Sequence, residues 1–366
     1  MMSDPGLASW LQLALTPGLG PSTVRKLLRE FGLPHAVLAR RRSELAAYAS
    51  AAALEALDSP SVRQAVERAL EWAAQPNRFV VTLADEAYPR PLLEIADPPP
   101  LFYACGRLEL LQNPALAIVG SRNATAQGAR NAEDFAKALC ESGLTIVSGL
   151  ALGIDAGAHR GALGAGGSTI AVLGTGIDLV YPQRNAALAA EIAARGLLVS
   201  EFPLGTPAAA QNFPRRNRLI SGLARGCLVV EAALASGSLI TARSAAEQGR
   251  EVFAVPGSIH SPLSKGCHAL IKSGAKLVES ADDVLSELGG FPSPEARVDT
   301  PAGLADPATG LLAHMGHDPV DVDALCARAR LSPDQVSSEL LRLELAGRIT
   351  ALPGGLFQRL EKARGG

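Results

Sequence analysis

Eight short apolar runs, separated by helical stretches, constrain this chain more than any other feature. They are Phe79–Leu83, Leu116–Val119, Thr145–Val147, Thr169–Leu173, Leu197–Val199, Cys227–Val230, Val252–Val255 and Lys276–Val278. Most are apolar throughout rather than alternating, which is the pattern of strands buried on both faces. Between them lie candidate helices at Ala126–Glu141, Asp155–Leu163, Arg184–Ala194 and Leu239–Gln248. Strands that alternate with helices are joined by crossovers and run parallel. The expected fold of residues 78–290 is therefore α/β, a doubly wound, extended Rossmann-like sheet.

The flanks read differently. Residues 1–77 show only helical patterns, at Leu7–Leu15, from Pro21 to Phe31, at Leu45–Leu57 and at Val62–Ala74. The expectation is a small helical domain of the SAM or helix-hairpin-helix kind. Its turn, Thr16-Pro17-Gly18-Leu19-Gly20, resembles a helix-hairpin-helix that can offer backbone N–H groups to a phosphate, and it reads equally as a plain inter-helix turn. Residues 291–310 are rich in Pro, Gly and Ala and predict a linker. Residues 311–366 predict three short helices and a hairpin turning at Pro353-Gly354-Gly355, the order of a winged helix-turn-helix. Its candidate recognition helix, Pro333–Ala346, sets Asp334, Glu339 and Glu344 against a single Arg342. A helix lying in a DNA groove should be electropositive, so this module is expected to dock protein or to regulate.

Bulk properties exclude several classes. The net charge of −2 gives no global basic signal for nucleic acid, so any anion site must be local. The five cysteines are scattered, with no CxxC pair, as in a protein with reduced thiols, and no metal site is expected. No signal peptide and no run of 18 apolar residues is present, so no membrane span is expected and the location reads as cytoplasmic.

The chemistry gathers where strands end. Gly120, Ser121 and Arg122 follow one strand, and Ser148, Gly149 and Gly153 follow the next. Gly174 and Gly176 follow a third, while Ser236, Gly237, Ser238 and Thr241 lead into a helix. In open α/β sheets these strand ends line the ligand crevice. Helices that start there point unpaired N–H groups into it, glycine permits close approach, and hydroxyls add donors. None of the loops is a GxGxxG or GxxxxGK[ST] motif, so neither dinucleotide nor P-loop nucleotide binding is supported, and no cofactor is expected. A second signal is Phe213, Arg215, Arg216, Asn217 and Arg218, in a stretch from Pro203 to Val230 that holds no acidic residue. Arginine suits phosphate through its forked donors, and Phe213 can stack a base. The absence of acidic neighbours predicts an unneutralised cluster.

Asp155 and His159 stand four apart on one helix. They read as a hydrogen-bonded pair that orients the glycine loop, or as an acid/base dyad. Glu231 and Glu247 read as further candidate carboxylates or, equally, as partners of Arg243 or Arg250. Of the other histidines, His260, His268, His314 and His317, only the last two have even weakly ligand-like spacing.

These motifs resemble a known family. Tyr88-Pro89-Arg90-Pro91-Leu92, Asp97-Pro98-Pro99-Pro100-Leu101-Phe102, Ile118-Val119-Gly120-Ser121-Arg122, Ser148-Gly149-Leu150-Ala151 with Gly153-Ile154-Asp155 and Ala158-His159, Tyr181-Pro182, Ser200-Glu201-Phe202-Pro203, Phe213 to Arg218, and Ser236 to Ala242 look like the DNA-processing protein A family, also called DprA or Smf. The resemblance covers about residues 80–280. It implies a dimer that binds single-stranded DNA and loads the RecA recombinase in natural transformation, without catalytic turnover. It places Arg122 at a DNA-contacting position. Family members often carry lysines around the pocket. Here Leu-Gly-Thr-Pro-Ala-Ala-Ala follows Pro203, and Arg215 or Arg216 is expected to substitute. Two alternatives are a Rossmann-like nucleotide-binding enzyme of the phosphoribohydrolase type and an adaptor that binds RecA without touching DNA.

Overall fold

The computed structural model describes residues 5–289, 309–316 and 318–360. The N-terminal part is helical, at Pro5–Leu15, Pro21–Phe31, Pro34–Leu38, Arg42–Leu45, Ala51–Ala56 and Pro60–Ala73. Pro21, Pro34 and Pro60 each sit in a first helical turn, where a missing N–H costs nothing. The helix expected over Leu45–Leu57 is broken. Ser50 accepts from Ala53 N–H at 3.2 Å and starts a new helix, because a serine there caps better than it propagates. The first helix buries two faces. Leu13 packs with Leu27, Val37 and Leu57 in the helical core, while Trp10 and Leu11 join Trp72, Tyr103 and Leu198 against the sheet. Arg25 fixes the same contact by pairing with Asp97 and donating to the Pro98 carbonyl at 2.8 Å.

Nine strands form the main sheet. They are β1 (Arg78–Thr82), β2 (Leu101–Gly106), β3 (Ala115–Val119), β4 (Thr145–Ser148), β5 (Thr169–Val172), β6 (Leu197–Ser200), β7 (Gly226–Val229), β8 (Glu251–Ala254) and β9 (Lys276–Leu277), in the order β1-β2-β6-β5-β4-β3-β7-β8-β9. From β6 to β9 every pairing is parallel. The all-parallel expectation fails at the other edge. There β2, which the sequence reading passes over, runs antiparallel to β6 and to β1. No crossover helix is required for these two strands, so the helix-alternation signal does not mark them.

Both faces of the sheet are covered. Along β3, Ala115, Ala117 and Val119 face one core, which includes Leu219, Ile220 and Ala245. Leu116 and Ile118 face the other, with Phe135, Leu139 and Val284. The chain winds away from β3 in opposite directions through β4 and β7, so the ends of β3 and β7 frame the topological switch point.

The C-terminal unit has helices Thr309–Met315, Val322–Ala329 and Pro333–Leu345, with β10 (Val320–Asp321), β11 (Ile349–Leu352) and β12 (Leu356–Arg359) ordered β10-β12-β11. The expected hairpin turns at Pro353-Gly354-Gly355, where both glycines have positive φ. Its own core holds Leu312, Leu325, Val336, Leu340 and Ile349. On Pro333–Leu345, Arg342 donates to Glu339 at 2.7 Å, which ties up a cation on the candidate recognition helix. Residues 291–308 of the expected linker, and His317, lie outside the described residues; 309 and 310 open a helix. Among the described residues no helix is long and apolar enough to cross a membrane.

The helices Ala126–Glu141 and Ile154–Gly164 touch backbone to backbone. A Cβ on Gly161 would lie 2.0 Å from the Glu133 carbonyl oxygen, and one on Gly157 would lie 2.7 Å from that of Ala129. Gly161→Ala is therefore expected to lower stability by about 1–3 kcal/mol, read as an earlier urea midpoint. Gly164→Ala on the same helix, where a Cβ meets nothing within 4 Å, should not.

Candidate functional site

A cleft of about 630 Å³ opens at the switch point. Its walls are the loop after β3, the first turn of the Asn212–Gly222 helix, and the entry to the Ser238–Glu247 helix. Ten of the predicted residues line it: Gly120, Ser121, Arg122, Phe213, Arg216, Asn217, Ser236, Gly237, Ser238 and Thr241. Neither helix has a side-chain cap from its N-cap residue, yet the N–H groups of Asn212, Leu239 and Ile240 already donate to the carbonyls of Ala209, Ser236 and Gly237, and Pro214 has none, so these starts offer few backbone donors. Ser236 and Ser238 share a hydroxyl contact of 2.7 Å at the rim.

The other predicted residues are elsewhere. Ser148 is buried and donates to the Ile118 carbonyl at 2.6 Å. A Cβ on Gly149 would fall 2.3 Å from the Arg216 guanidinium, one on Gly153 2.2 Å from the Ser121 carbonyl oxygen, and one on Gly174 2.8 Å from the Phe213 ring. Gly176 is hemmed in by the Pro203 carbonyl oxygen at 2.6 Å. These glycines make room for protein atoms, whereas the expectation was close approach of an anion. Gly237 is different: a Cβ there would meet nothing within 4 Å, and it faces the cleft.

The arginine cluster separates by environment. Arg216 is only 5 % exposed. It donates to the carbonyls of Gly149, at 2.6 Å, and Val172, and through Nε to Asn217 at 3.1 Å. Burial pulls it down to about 10, against the favourable charge of Asp155. The expectation of no acidic neighbours is wrong, because Glu201 and Asp97 arrive from other segments. Arg218 pairs with both, and Arg215 meets Glu201 at 3.3 Å. Burial also raises the Glu201 carboxyl, with Arg218 and then Arg215 opposing that shift.

Arg122 remains. It is exposed at the cleft mouth and lies over the Phe213 ring, 5.3 Å from its centroid. No ion pair involves it among the described residues. Tyr181, 50 % exposed, extends this platform with its ring centroid 5.7 Å from that of Phe213. The sequence reading did not single out Tyr181. Its only signal was the Tyr181-Pro182 motif, 32 residues before Phe213.

Asp155 and His159 do not bond each other. Asp155 accepts from Gly149 N–H at 3.1 Å and Ala151 N–H at 3.3 Å, so of the two it is Asp155 that helps orient the glycine loop, together with Asn185, which donates to the Leu150 carbonyl at 2.8 Å. His159 Nδ1 contacts the Thr169 hydroxyl at 2.7 Å. Among the described residues Glu231 pairs with no arginine. It accepts from Thr125 N–H at 2.9 Å and the Thr125 hydroxyl at 2.6 Å, stapling the β3 loop to the end of β7. Arg250 pairs instead with Glu94 at 2.8 Å. No metal-ligating group of three or more acidic, His or Cys side chains occurs among the described residues.

Residues 79–289 match the DNA recombination-mediator protein A family, and residues 294–355 match the DprA winged helix domain. Protein Smf of Escherichia coli is 46 % identical over 314 residues, 82 % of each chain. The crystal structure of DNA processing protein A from Streptococcus pneumoniae superposes with a TM-score of 0.66 at 39 % identity, covering 79 % of this chain and all of that one. DNA processing protein A from Helicobacter pylori, described for its single-stranded DNA binding mode, gives 0.52 at 30 % identity over 58 % of this chain and 95 % of its own.

Burial, with the nearby Arg216 and Arg160, pushes His159 down to about 3. The unfolded chain titrates near 6.5. The native state thus holds fewer protons across this window, and stability present above pH 6.5 is lost as pH falls toward 3. Denaturant midpoints from pH 7 to pH 5 should fall more steeply for the wild type than for His159→Asn, whose amide cannot take up the proton.

Proposed function

Because this chain belongs to the DNA recombination-mediator protein A family, we propose that it binds single-stranded DNA across the cleft at the ends of β3 and β7. The observation that carries the reading is Arg122, an exposed and unpaired guanidinium laid on the Phe213–Tyr181 platform at the mouth of that cleft. A cation beside two stacking faces suits a flexible strand, since every base has a π face and every residue a phosphate. The hydroxyls of the Ser236-Gly237-Ser238 rim add a neutral donor for phosphate oxygens. Arg216 acts from beneath as the strut of the site and contributes its field rather than a contact. Arg215 and Arg218 are neutralised by Glu201 and Asp97, so they are secondary.

The protein works as a homodimer that hands the strand to RecA without catalytic turnover. The winged helix, with its acidic outer helix, serves protein contacts. The enzyme alternative needs a free carboxylate at the cleft. Glu231 is committed to Thr125, which weighs against it.

Four measurements test this. Arg122→Ala should weaken single-strand affinity about tenfold or more for all sequences alike, and reduce the salt slope of binding by about 0.7. Phe213→Ala should cost about 1–3 kcal/mol of binding. Absence of oligonucleotide binding at low salt would leave a RecA adaptor. Release of free base from nucleoside monophosphates, abolished by Glu231→Gln, would make the protein an enzyme.

A further inference from the structure

Two exposed ridges, far apart in the chain, share one spacing. In the winged-helix unit, the Pro333–Leu345 helix buries Val336, Leu340 and Leu343 in that unit's own core. Asp334, Ser338, Leu341 and Leu345 stand at i, i+4, i+7 and i+11 and line the opposite side of the helix. All four are exposed. Leu341 is 59 % exposed, and Leu345, at 82 %, is the most exposed large apolar side chain among the described residues. Glu344 is exposed on the flank of the ridge. A groove-reading helix carries cations on this side. This one carries leucines beside carboxylates.

The second ridge is on the Pro21–Phe31 helix. That helix buries Val24 and Leu27 and turns Ser22, Lys26 and Arg29 outward, again at i, i+4 and i+7. Position i+11 is Leu33, just past the helix end and 50 % exposed. Arg25 turns aside to Asp97, and Glu30 stands to one side, beside Tyr48. Lys26 and Arg29 have no ion pair among the described residues. Both ridges are polar at the helix start and apolar at the end. Laid parallel, Leu33 meets Leu345, Lys26 comes within one turn of Asp334, and Arg29 reaches toward Glu344. Laid antiparallel, Leu33 falls on Asp334 and Leu345 on Ser22, and both matches are lost.

Size favours a tethered occupant over a separate protein. Three leucines fall far short of the roughly 800 Å² per partner that a stable contact between separate proteins buries. A tether offsets that deficit by raising the effective concentration to about millimolar. Residues 290–308 join the two described parts, and 19 residues reach at most about 65 Å. That exceeds the diameter of roughly 50 Å expected for a compact body the size of residues 5–289.

We propose that the leucine ridge of the winged helix docks on the basic ridge of this protein's N-terminal helix, in the same chain or in the second copy of the homodimer. The proposal rests on the reading of the winged helix as a protein-contact module and is independent of strand binding in the cleft.

Cysteines placed at exposed positions of the full chain test the contact. Leu33→Cys with Leu345→Cys should form a disulfide under diamide about tenfold faster than Ile259→Cys with Leu345→Cys. Ile259 is 66 % exposed and follows β8, toward the sheet edge opposite β1 and β2. Mass spectrometry of the joined peptides separates this disulfide from the native thiols. Lys26→Glu with Arg29→Glu should lower the rate to that of the control, and adding Asp334→Lys with Glu344→Lys should restore it. In mixed isotopically heavy and light chains, heavy–light disulfides assign the contact to the second copy, and disulfides within one label only assign it to the same chain. A rate equal to the control, or one untouched by the charge reversals, would overturn the contact. If Leu341→Ser with Leu345→Ser weakens binding to duplex DNA, the winged helix reads DNA and the docking reading falls with it. Failure of the cleft reading through Arg122→Ala leaves this test unaffected.

Discussion

The site depends on one buried cation. Arg216 ties the Asn212–Gly222 helix to the carbonyls of Gly149 and Val172, just beyond β4 and at the end of β5. Burying a guanidinium is costly unless it is fully used. Here carbonyls, Asn217 and the field of Asp155 offset that cost. Asp155 in turn fixes the loop after β4 through two backbone N–H groups. Helix, loop and strand ends therefore form one braced unit. Phe213 sits three residues before Arg216, so the stacking platform inherits its position from this brace.

The same brace explains the glycines. Gly149 is small because the Arg216 guanidinium fills the space a side chain would take, and Gly174 is small because Phe213 does. Gly120 has both reasons: a Cβ would strike Ile154 at 2.5 Å, and the residue lines the cleft. A glycine-rich strand end is thus a weak pointer to ligand by itself. It marks close approach of something, and in a dense α/β core that something is often the protein.

Charge follows a similar logic. Four arginines lie in a stretch without acidic residues, yet Glu201 and Asp97 neutralise Arg215 and Arg218 from the β6 end and the loop before β2. Local net charge along a sequence is not local net charge in space. What survives at the cleft mouth is Arg122, whose neighbour is an aromatic face rather than a carboxylate.

The sequence by itself determined the sheet's parallel part, the helices between its strands, and the winged-helix order with its glycine turn. These rest on apolar periodicity and turn chemistry, which act over a few residues and can be read locally. It also placed the loops of the candidate site at strand carboxyl ends, the edge where open α/β sheets form their crevice. Only the tertiary structure decided which loops share a cleft, that β2 reverses the sheet's edge, that Asp155 and His159 turn to different partners, and that Tyr181 joins Phe213. Each of those is a contact between segments tens of residues apart. Its energy depends on burial and distance in space, and neither quantity is written in the spacing of residues along the chain.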